Sequence, residues 1–400
     1  MKLGIFLPNW LGDLVMATPA LRAIRRHFGP QARIVGILRP KLAELLAGTN
    51  WLDEQWPFDP RGHQPQWRRW ALIRRMRQEQ FDTVLLLTNS LDTALLAWLG
   101  GVRQRIGYVR YGRGPLLTGK LYPRRDGRRI VPAPMVESYL ALAEAIAGKG
   151  DSPHLPDTTV GQTFVSALEM SPNMADKNVC PPRFAQMGTV PFFRPPFSRR
   201  LELATTAAEE ELGERIWRDL GLRADGRVIG LNCSGAYGAA KRWPLEHCGA
   251  LAQRIAAELD HDVLVLCGPG EGEAAREIVG HAQSRRVFSL ADQPLGLAAT
   301  KACLRRSRLL VSTDSGPRHI AAAFDKPVIT LLGPTLPAWI DNPTVRGAFV
   351  RLDLDCLGCA KRVCPLGHHR CMKELSPEMV LRAVSTVLEQ EESVPEGLLA

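Results

Sequence analysis

Apolar positions along the chain fall into short continuous runs separated by amphipathic stretches. In the first third, Leu3 to Leu7, Arg33 to Leu38 and Thr83 to Leu87 read as strands, with helices over Asp13 to His27 and Leu91 to Leu99. The alternation stops between 157 and 200, where Pro181, Pro182, Pro191, Pro195 and Pro196 stand in a stretch without a sustained period. It resumes with strands over Val228 to Asn232, Asp262 to Cys267, Arg308 to Asp314 and Pro327 to Gly333. Helices fall between them over Leu245 to Leu259, from near Glu271 and from Gly316. A last helical pattern, Pro377 to Glu391, could pack on either half. The strand runs are rich in Val, Ile and Leu without alternation, as parallel strands covered on both faces should be.

This pattern predicts an α/β chain of two Rossmann-like domains whose parallel sheets face a cleft. The expected boundaries are 1–156 for the first domain, 157–205 for a linker with a Pro-rich insertion, 206–375 for the second domain, and 376–400 for a C-terminal helix. A length of 400 residues agrees, because one hydrophobic core rarely serves so long a chain. No stretch approaches the roughly 20 apolar residues of a membrane span. Pro8, Asn9 and Asp13 interrupt what would be the apolar centre of a signal peptide, so a cytoplasmic protein is expected.

Charge adds a partner class. Lys and Arg outnumber Asp and Glu by 51 to 41, and the excess is concentrated at Arg103, Arg105, Arg110, Arg113, Lys120, Arg124, Arg125, Arg128 and Arg129, opposed only by Asp126. Such a block is commonly a solvated surface, but its density fits a phosphorylated glycolipid or an anionic membrane surface. Nucleic acid fits least, since no nucleic-acid motif accompanies the block and aromatic residues interleave poorly with it.

Ligands of open parallel sheets sit beyond the carboxyl ends of strands, which directs attention to the loops there. The first, Asn9-Trp10-Leu11-Gly12-Asp13, passes from strand to helix. Asp13 there is either a helix cap or a general base at the rim of the cleft. The second runs from Ser234, Gly235 and Ala236 to Lys241, Arg242, Trp243 and Pro244. Its small residues admit a ligand to the backbone before two cations, which suits a diphosphate, although a glycine-rich turn with exposed basic residues reads the same way. The third, Thr313-Asp314-Ser315-Gly316-Pro317-Arg318-His319, opens a helix whose amides and dipole favour an anion, with Arg318 and His319 as further donors. Asp314 is out of place beside phosphates, and an internal cap of the loop is the expectation for it. Glu271, behind Gly268 and Gly270, could meet a ribose hydroxyl.

Four cysteines, Cys356, Cys359, Cys364 and Cys371, stand close enough to suggest a structural zinc or another metal, with a loop of reduced thiols as the alternative. Gly114 to Lys120 spells most of a phosphate-binding loop, but Leu121 stands where its Ser or Thr belongs.

Taken in order, Asn9 to Asp13, Asn89-Ser90, Ser234 to Pro244, Thr313 to His319 and Leu332-Gly333-Pro334-Thr335 resemble the family 9 glycosyltransferases, the bacterial heptosyltransferases of the lipopolysaccharide inner core. The resemblance implies a GT-B fold, with an N-terminal domain for the acceptor on lipid A and a C-terminal domain for ADP-heptose. It implies inversion at the anomeric carbon without an essential metal or other cofactor, on the inner face of the inner membrane. Residue by residue it implies Asp13 as base; Ser234, Gly235, Ala236 and Lys241 on the diphosphate; Thr313, Asp314, Ser315, Gly316 and His319 on the opposite wall; and Glu271 on the ribose. Acceptor contacts are expected from Asn9, Trp10, Asn89 and Ser90, with Arg105 and Arg110 of the basic block. The four-cysteine segment resembles one found in part of the family.

Overall fold

A computed structural model of the chain describes residues 1–127, 129–148, 197–233 and 238–393. Among them the chain divides into two compact units. The first holds the described residues up to 148 together with 197–204 and 338–342; the second holds the rest. The expected linker at 157–205 lies mostly outside the described residues.

The first unit is built on β1 (Lys2–Phe6), β2 (Arg33–Leu38), β3 (Glu54–Pro57), β4 (Thr83–Leu86), β5 (Gln104–Tyr108) and β6 (Gly119–Leu121), all parallel in the order β3-β2-β1-β4-β5-β6. Around them lie α1 (Leu11–Met16), α2 (Thr18–Phe28), α3 (Arg69–Glu79), α4 (Leu91–Leu99) and α5 (Met135–Ala147), with a small hairpin of β7 (Arg125–Asp126) and β8 (Arg129–Ile130). One face of the sheet buries Phe6, Val35, Ile37, Val84 and Leu86 against Leu72, Ile73 and Met76 of α3 and Leu96 of α4. The helix expected over Asp13 to His27 is broken in two. Pro19 has no N–H to offer the Val15 carbonyl, and the Thr18 hydroxyl donates to that oxygen instead at 2.8 Å.

The second unit repeats the plan with β9 (Val228–Asn232), β10 (Asp262–Val265), β11 (Val287–Ser289), β12 (Leu309–Thr313), β13 (Val328–Leu331) and β14 (Gly347–Val350), parallel in the order β11-β10-β9-β12-β13-β14. Its helices are α6 (Ala207–Leu220), α7 (Leu245–Glu258), α8 (Gly272–Ala282), α9 (Leu297–Arg306), α10 (Gly316–Ala323), the short α11 (Pro337–Ile340) and α12 (Arg370–Lys373), and α13 (Pro377–Ser393). The α13 helix packs on α7 and β14 of this unit. β9 and β12 are buried at every position, which is why each opens on an apolar run, Val228 to Leu231 and Leu309 to Val311, before its polar end. Thr206 and Glu209 form a reciprocal cap at the start of α6. Glu209 also meets the fully buried Lys301 of α9 at 2.9 and 3.0 Å.

Each unit therefore has the 3-2-1-4-5-6 order, in which connections run opposite ways from the first strand. The loops after β1 and β4, and those after β9 and β12, sit where the two directions part, and a ligand can enter between such loops.

Candidate active site

In the first unit the chain leaves β1 through Asn9 and Trp10 and turns at once into α1. Trp10 is the extended residue before the helix (φ −108°, ψ 143°), and its own side chain makes no capping hydrogen bond. Asp13 sits in the first turn of that helix, two residues past its first position. It complements the helix dipole and lies near the Tyr139 phenol of α5; burial, with the Asp13 charge adding to it, pushes that phenol well above its ordinary value. The Asn9 side-chain oxygen accepts from Arg39 Nε at 3.3 Å, and Trp10 is half exposed.

Beyond β4, Ser90 caps α4, its hydroxyl accepting from the Asp92 amide at 3.1 Å. Asn89, just before it, is held from beneath by Arg113. The Arg113 guanidinium is 0% exposed; Nη2 donates to Asn89 Oδ1 at 3.1 Å, Nε to the Tyr108 carbonyl at 2.7 Å, and Nη1 to the Thr88 carbonyl. A Cβ on Gly107 would lie 3.1 Å from its Nη2, so the side chain fills a tailored slot. Burial, with Arg110 adding to it, brings its pKa down to about 10, and none of its hydrogen-bond partners is a carboxylate.

Arg113 therefore does not belong to a solvated basic surface, as its place in the charged block suggested. Sequence spacing gave no sign of its burial. Arg105 is likewise turned inward, donating through Nε to the Leu116 carbonyl at 2.6 Å and through Nη1 to Val102 and Arg103. Arg110 is half-buried, with an Nε that has no hydrogen-bond partner among the described residues. Arg128 lies outside the described residues, as does the side chain of Arg129.

In the second unit Ser234, Gly235 and Ala236 also lie outside the described residues. The loop is described again from Gly238 to Lys241, after which Trp243 anchors it: the indole is buried and donates to the Leu375 carbonyl at 2.9 Å. Lys241 reaches the loop after β12, its Nζ lying 2.6 Å from Asp314 Oδ2 and 2.8 Å from the Asp314 carbonyl. Thr335 donates to the same carboxylate oxygen at 2.8 Å, and His319 Nε2 is 3.8 Å from the other. Burial disfavours the Asp314 carboxylate, but His319, Lys241 and Arg318 together hold its pKa far below the ordinary range. Asp314 is thus the internal tie that its sequence position suggested.

A hydroxyl hub lies beneath that tie. Asn232 Nδ2 donates to Ser312 Oγ at 3.1 Å and to Ser315 Oγ at 2.9 Å, and Ser312 Oγ donates to the Thr313 carbonyl at 2.7 Å. Ser315 precedes α10 without capping it through its side chain, and Pro317 follows Gly316. The amide end of α10 is therefore not covered by its own capping side chain and can receive an anion. Arg318, expected as a further donor to the ligand, is instead 2% exposed, with Nε on Thr330 Oγ1 at 2.8 Å and its guanidinium carbon 5.4 Å from the Phe349 ring centre. Glu271 closes its own turn, accepting from the Gly268 amide at 2.8 Å. It lines a small apolar recess with Cys233, Leu245, Leu266, Cys267 and Ile278.

The four cysteines are free thiols, each half-buried. Burial and the neighbouring Cys356, Cys359 and Cys364 push the Cys371 thiol up to about 11. Backbone amides, that of His369 first, lower the Cys364 thiol. Among the described residues no three His, Cys, Asp or Glu side chains are arranged to hold a metal ion. Nor, among those residues, is any helix long and apolar enough to cross a membrane.

The sequence model of "Glycosyltransferase family 9 (heptosyltransferase)" matches residues 69–179 and 198–370. The chain is 30% identical to lipooligosaccharide heptosyltransferase 2 of Campylobacter jejuni over 397 residues, 97% of this chain and 98% of that protein. It is 26% identical to lipopolysaccharide heptosyltransferase 2 of Salmonella typhimurium over 398 residues, 98% of this chain and 99% of that one. Among solved structures, the ADP-heptose lps heptosyltransferase II of E. coli superposes with a TM-score of 0.69 at 22% identity, covering 98% of this chain and all of that one. The fold is thus GT-B, and the chain belongs to glycosyltransferase family 9, the heptosyltransferases.

Proposed function

We propose that the protein transfers heptose from ADP-heptose to a heptose of the lipopolysaccharide inner core, with inversion at the anomeric carbon. The observation that carries the chemistry is the Lys241 ammonium, fixed by Asp314 beside the amide end of α10, where donors converge on a place for a departing diphosphate. The sugar and acceptor class follow from the relatives, whose names are lipopolysaccharide and lipooligosaccharide heptosyltransferases over nearly the whole chain.

In this reading Asp13 takes the proton of the attacking acceptor hydroxyl as its oxygen bonds to the anomeric carbon. The bond from that carbon to the diphosphate breaks on the opposite side, and its electron pair leaves on ADP. Lys241 and the α10 amides stabilise that charge as it develops, together with Ser234, Gly235 and Ala236. Thr313, Ser315 and His319 shape the wall, and the recess beside Glu271 takes the nucleoside. Asn9, Trp10, Asn89, Ser90 and Arg110 receive the acceptor. Arg105, committed to backbone carbonyls, supports its loop. No step draws on a metal, because the leaving group's charge is met by protein groups. Zinc and iron content measured on purified protein tests separately whether Cys356, Cys359, Cys364 and Cys371 bind one.

Because the acceptor is carried on lipid A, the protein works at the inner face of the inner membrane as a peripheral protein. Mass spectrometry of the product from ADP-heptose and a deacylated heptose-bearing core tests the transfer. A second reading keeps the fold but changes the nucleotide, since the loops meet phosphates rather than the base. Calorimetric titration with ADP, UDP and GDP separates the two, with ADP expected to bind tightest.

A further inference from the structure

The α4 helix leaves an apolar stripe in water. Leu91, Leu95 and Trp98, spaced four and three residues apart on one face, are 47%, 38% and 52% exposed. On α3 beside it Trp70 is 78% exposed. Around this stripe positive charge predominates, although Arg75 is paired with Glu54 at 3.2 Å. Between 61 and 103 stand Arg61, Arg68, Arg69, Arg74, Arg75, Arg77 and Arg103 against Glu79, Asp82 and Asp92. Each acid is already met: Glu79 by Arg33 at 3.0 Å, Asp82 by the Lys2 amide at 2.7 Å, Asp92 by Arg69 at 2.8 Å. Arg68 and Arg77 donate to the carbonyls of Gly62 and Leu99, which leaves their charge unmatched.

Exposed tryptophans and leucines rimmed by guanidinium groups fit the interface of an anionic phospholipid bilayer, apolar groups among the acyl chains and arginines at the phosphates. We propose that the α3–α4 face docks this protein on such a bilayer. The proposal rests on the peripheral-membrane reading and names the surface that serves it. Ser90 caps the same helix, so the expected acceptor residues Asn89 and Ser90 stand at its end.

The test is flotation of the full chain with vesicles of phosphatidylethanolamine and phosphatidylglycerol, or of phosphatidylcholine alone. The wild type should bind the anionic vesicles, less so as salt is raised. Leu95→Gln/Trp98→Gln should lose about tenfold in partition, a readily measured difference in free energy, while keeping its circular dichroism and its turnover of a deacylated acceptor. If the variant floats as the wild type does, another surface docks and this assignment fails while the membrane reading stands. If the wild type floats with neither vesicle, both fail. If the variant instead converts a dimer to a monomer, the face is a contact between copies and the assignment fails.

A separate observation concerns the cysteine segment. It lies along two loops of the second unit. The Ala240 amide donates to the Arg362 carbonyl at 3.0 Å, and His369 Nε2 is 2.8 Å from the Ala240 carbonyl. The Gly358 and Ala360 amides donate to the carbonyls of Gly333 and Pro334 at 3.0 and 2.7 Å. A Cβ on Gly238, whose φ is +151°, would lie 2.5 Å from the Arg362 oxygen, so no larger side chain fits under the strap. A carbonyl can only accept, so His369 carries its proton on Nε2. Its own amide meets Cys364 Sγ at 3.4 Å.

We infer that His369 is a positioning residue that holds Ala240, and through it Lys241, in place for the donor. This rests on the reading of that loop as a diphosphate site. Gln can place an amide nitrogen where Nε2 stands; Asn is too short. His369→Asn should therefore raise the donor KM and the ADP Kd about tenfold, the loss of roughly one hydrogen bond to a buried group, with the acceptor KM unchanged. His369→Gln should recover most of it. Equal ADP affinity in wild type, Asn and Gln variants, all folded by circular dichroism, would overturn the role. Failure of ADP to bind the wild type would instead remove the diphosphate reading itself.

Discussion

The two sheets share one strand order, yet the loops at their switch points follow opposite electrostatic plans. In the second unit a buried carboxylate, Asp314, is matched by Lys241, Thr335 and His319, so the charges are set before any ligand arrives. In the first, a buried cation, Arg113, is matched only by neutral oxygens of Thr88, Asn89 and Tyr108. One unit thus carries a preassembled pair beside a helix amide end, suited to charge that develops on a leaving group. The other keeps unneutralised positive charge under Asn89, suited to an acceptor that brings its own anionic groups.

The sharpest break in that division is at Asp13. Asp13→Asn should lower kcat by about a hundredfold to ten-thousandfold, the usual worth of a general base, while calorimetry shows ADP binding unchanged. Near-wild-type turnover would remove Asp13 from the chemistry. Lys241→Met should cost kcat about a hundredfold or more, as loss of a preorganised charge at a leaving group does. It also strands Asp314, so the variant should be destabilised by about 3–5 kcal/mol. Adding Asp314→Asn should return the thermal midpoint but not kcat; recovery of both would make the pair structural only.

Arg113→Lys should act on the other side of the comparison. A single ammonium cannot span three oxygens in a plane, so the acceptor KM should rise about tenfold for roughly one charged hydrogen bond lost, with the donor KM unmoved. A rise in both constants would show that the buried cation supports the fold at large.

The smallest effect expected is on stability against pH. Burial lowers the His319 pKa below its ordinary 6.5, with Arg318 and Lys241 adding to it against Asp314. A group whose folded pKa is depressed contributes stability above its unfolded value and loses it as pH falls. The thermal midpoint should therefore drop as pH is lowered from 7 through the His319 value, and His319→Gln should flatten that slope. Asp314, lowered from 3.8, adds its own loss only in stronger acid.

How much of this was legible in the sequence depended on burial. The central strands β1, β2, β4, β9, β10, β12 and β13 are covered on both faces, and their continuous Val, Ile and Leu runs announce them. The outer strands β3 (Glu54–Pro57), β5 (Gln104–Tyr108), β6 (Gly119–Leu121), β11 (Val287–Ser289) and β14 (Gly347–Val350) are short and in places exposed or polar, and no such run marks them. Asp13, Lys241, Asp314 and the α10 start were visible because strand-to-helix loops concentrate ligand groups. Spacing does not reveal that the guanidinium groups of Arg113 and Arg318 turn inward to meet carbonyls or a hydroxyl, so both read as surface or ligand-facing charges in the sequence. The packing of the cysteine segment along the Gly238–Lys241 and Gly333–Pro334 loops is likewise not legible in the cysteine spacing.

The central claim is tested most directly by giving the purified protein ADP-heptose and a deacylated heptose-bearing core and analysing the product. The account predicts an acceptor heavier by one heptosyl unit, released with an equal amount of ADP, its new linkage inverted relative to the donor by NMR. An unchanged acceptor, or a linkage of retained configuration, would contradict it.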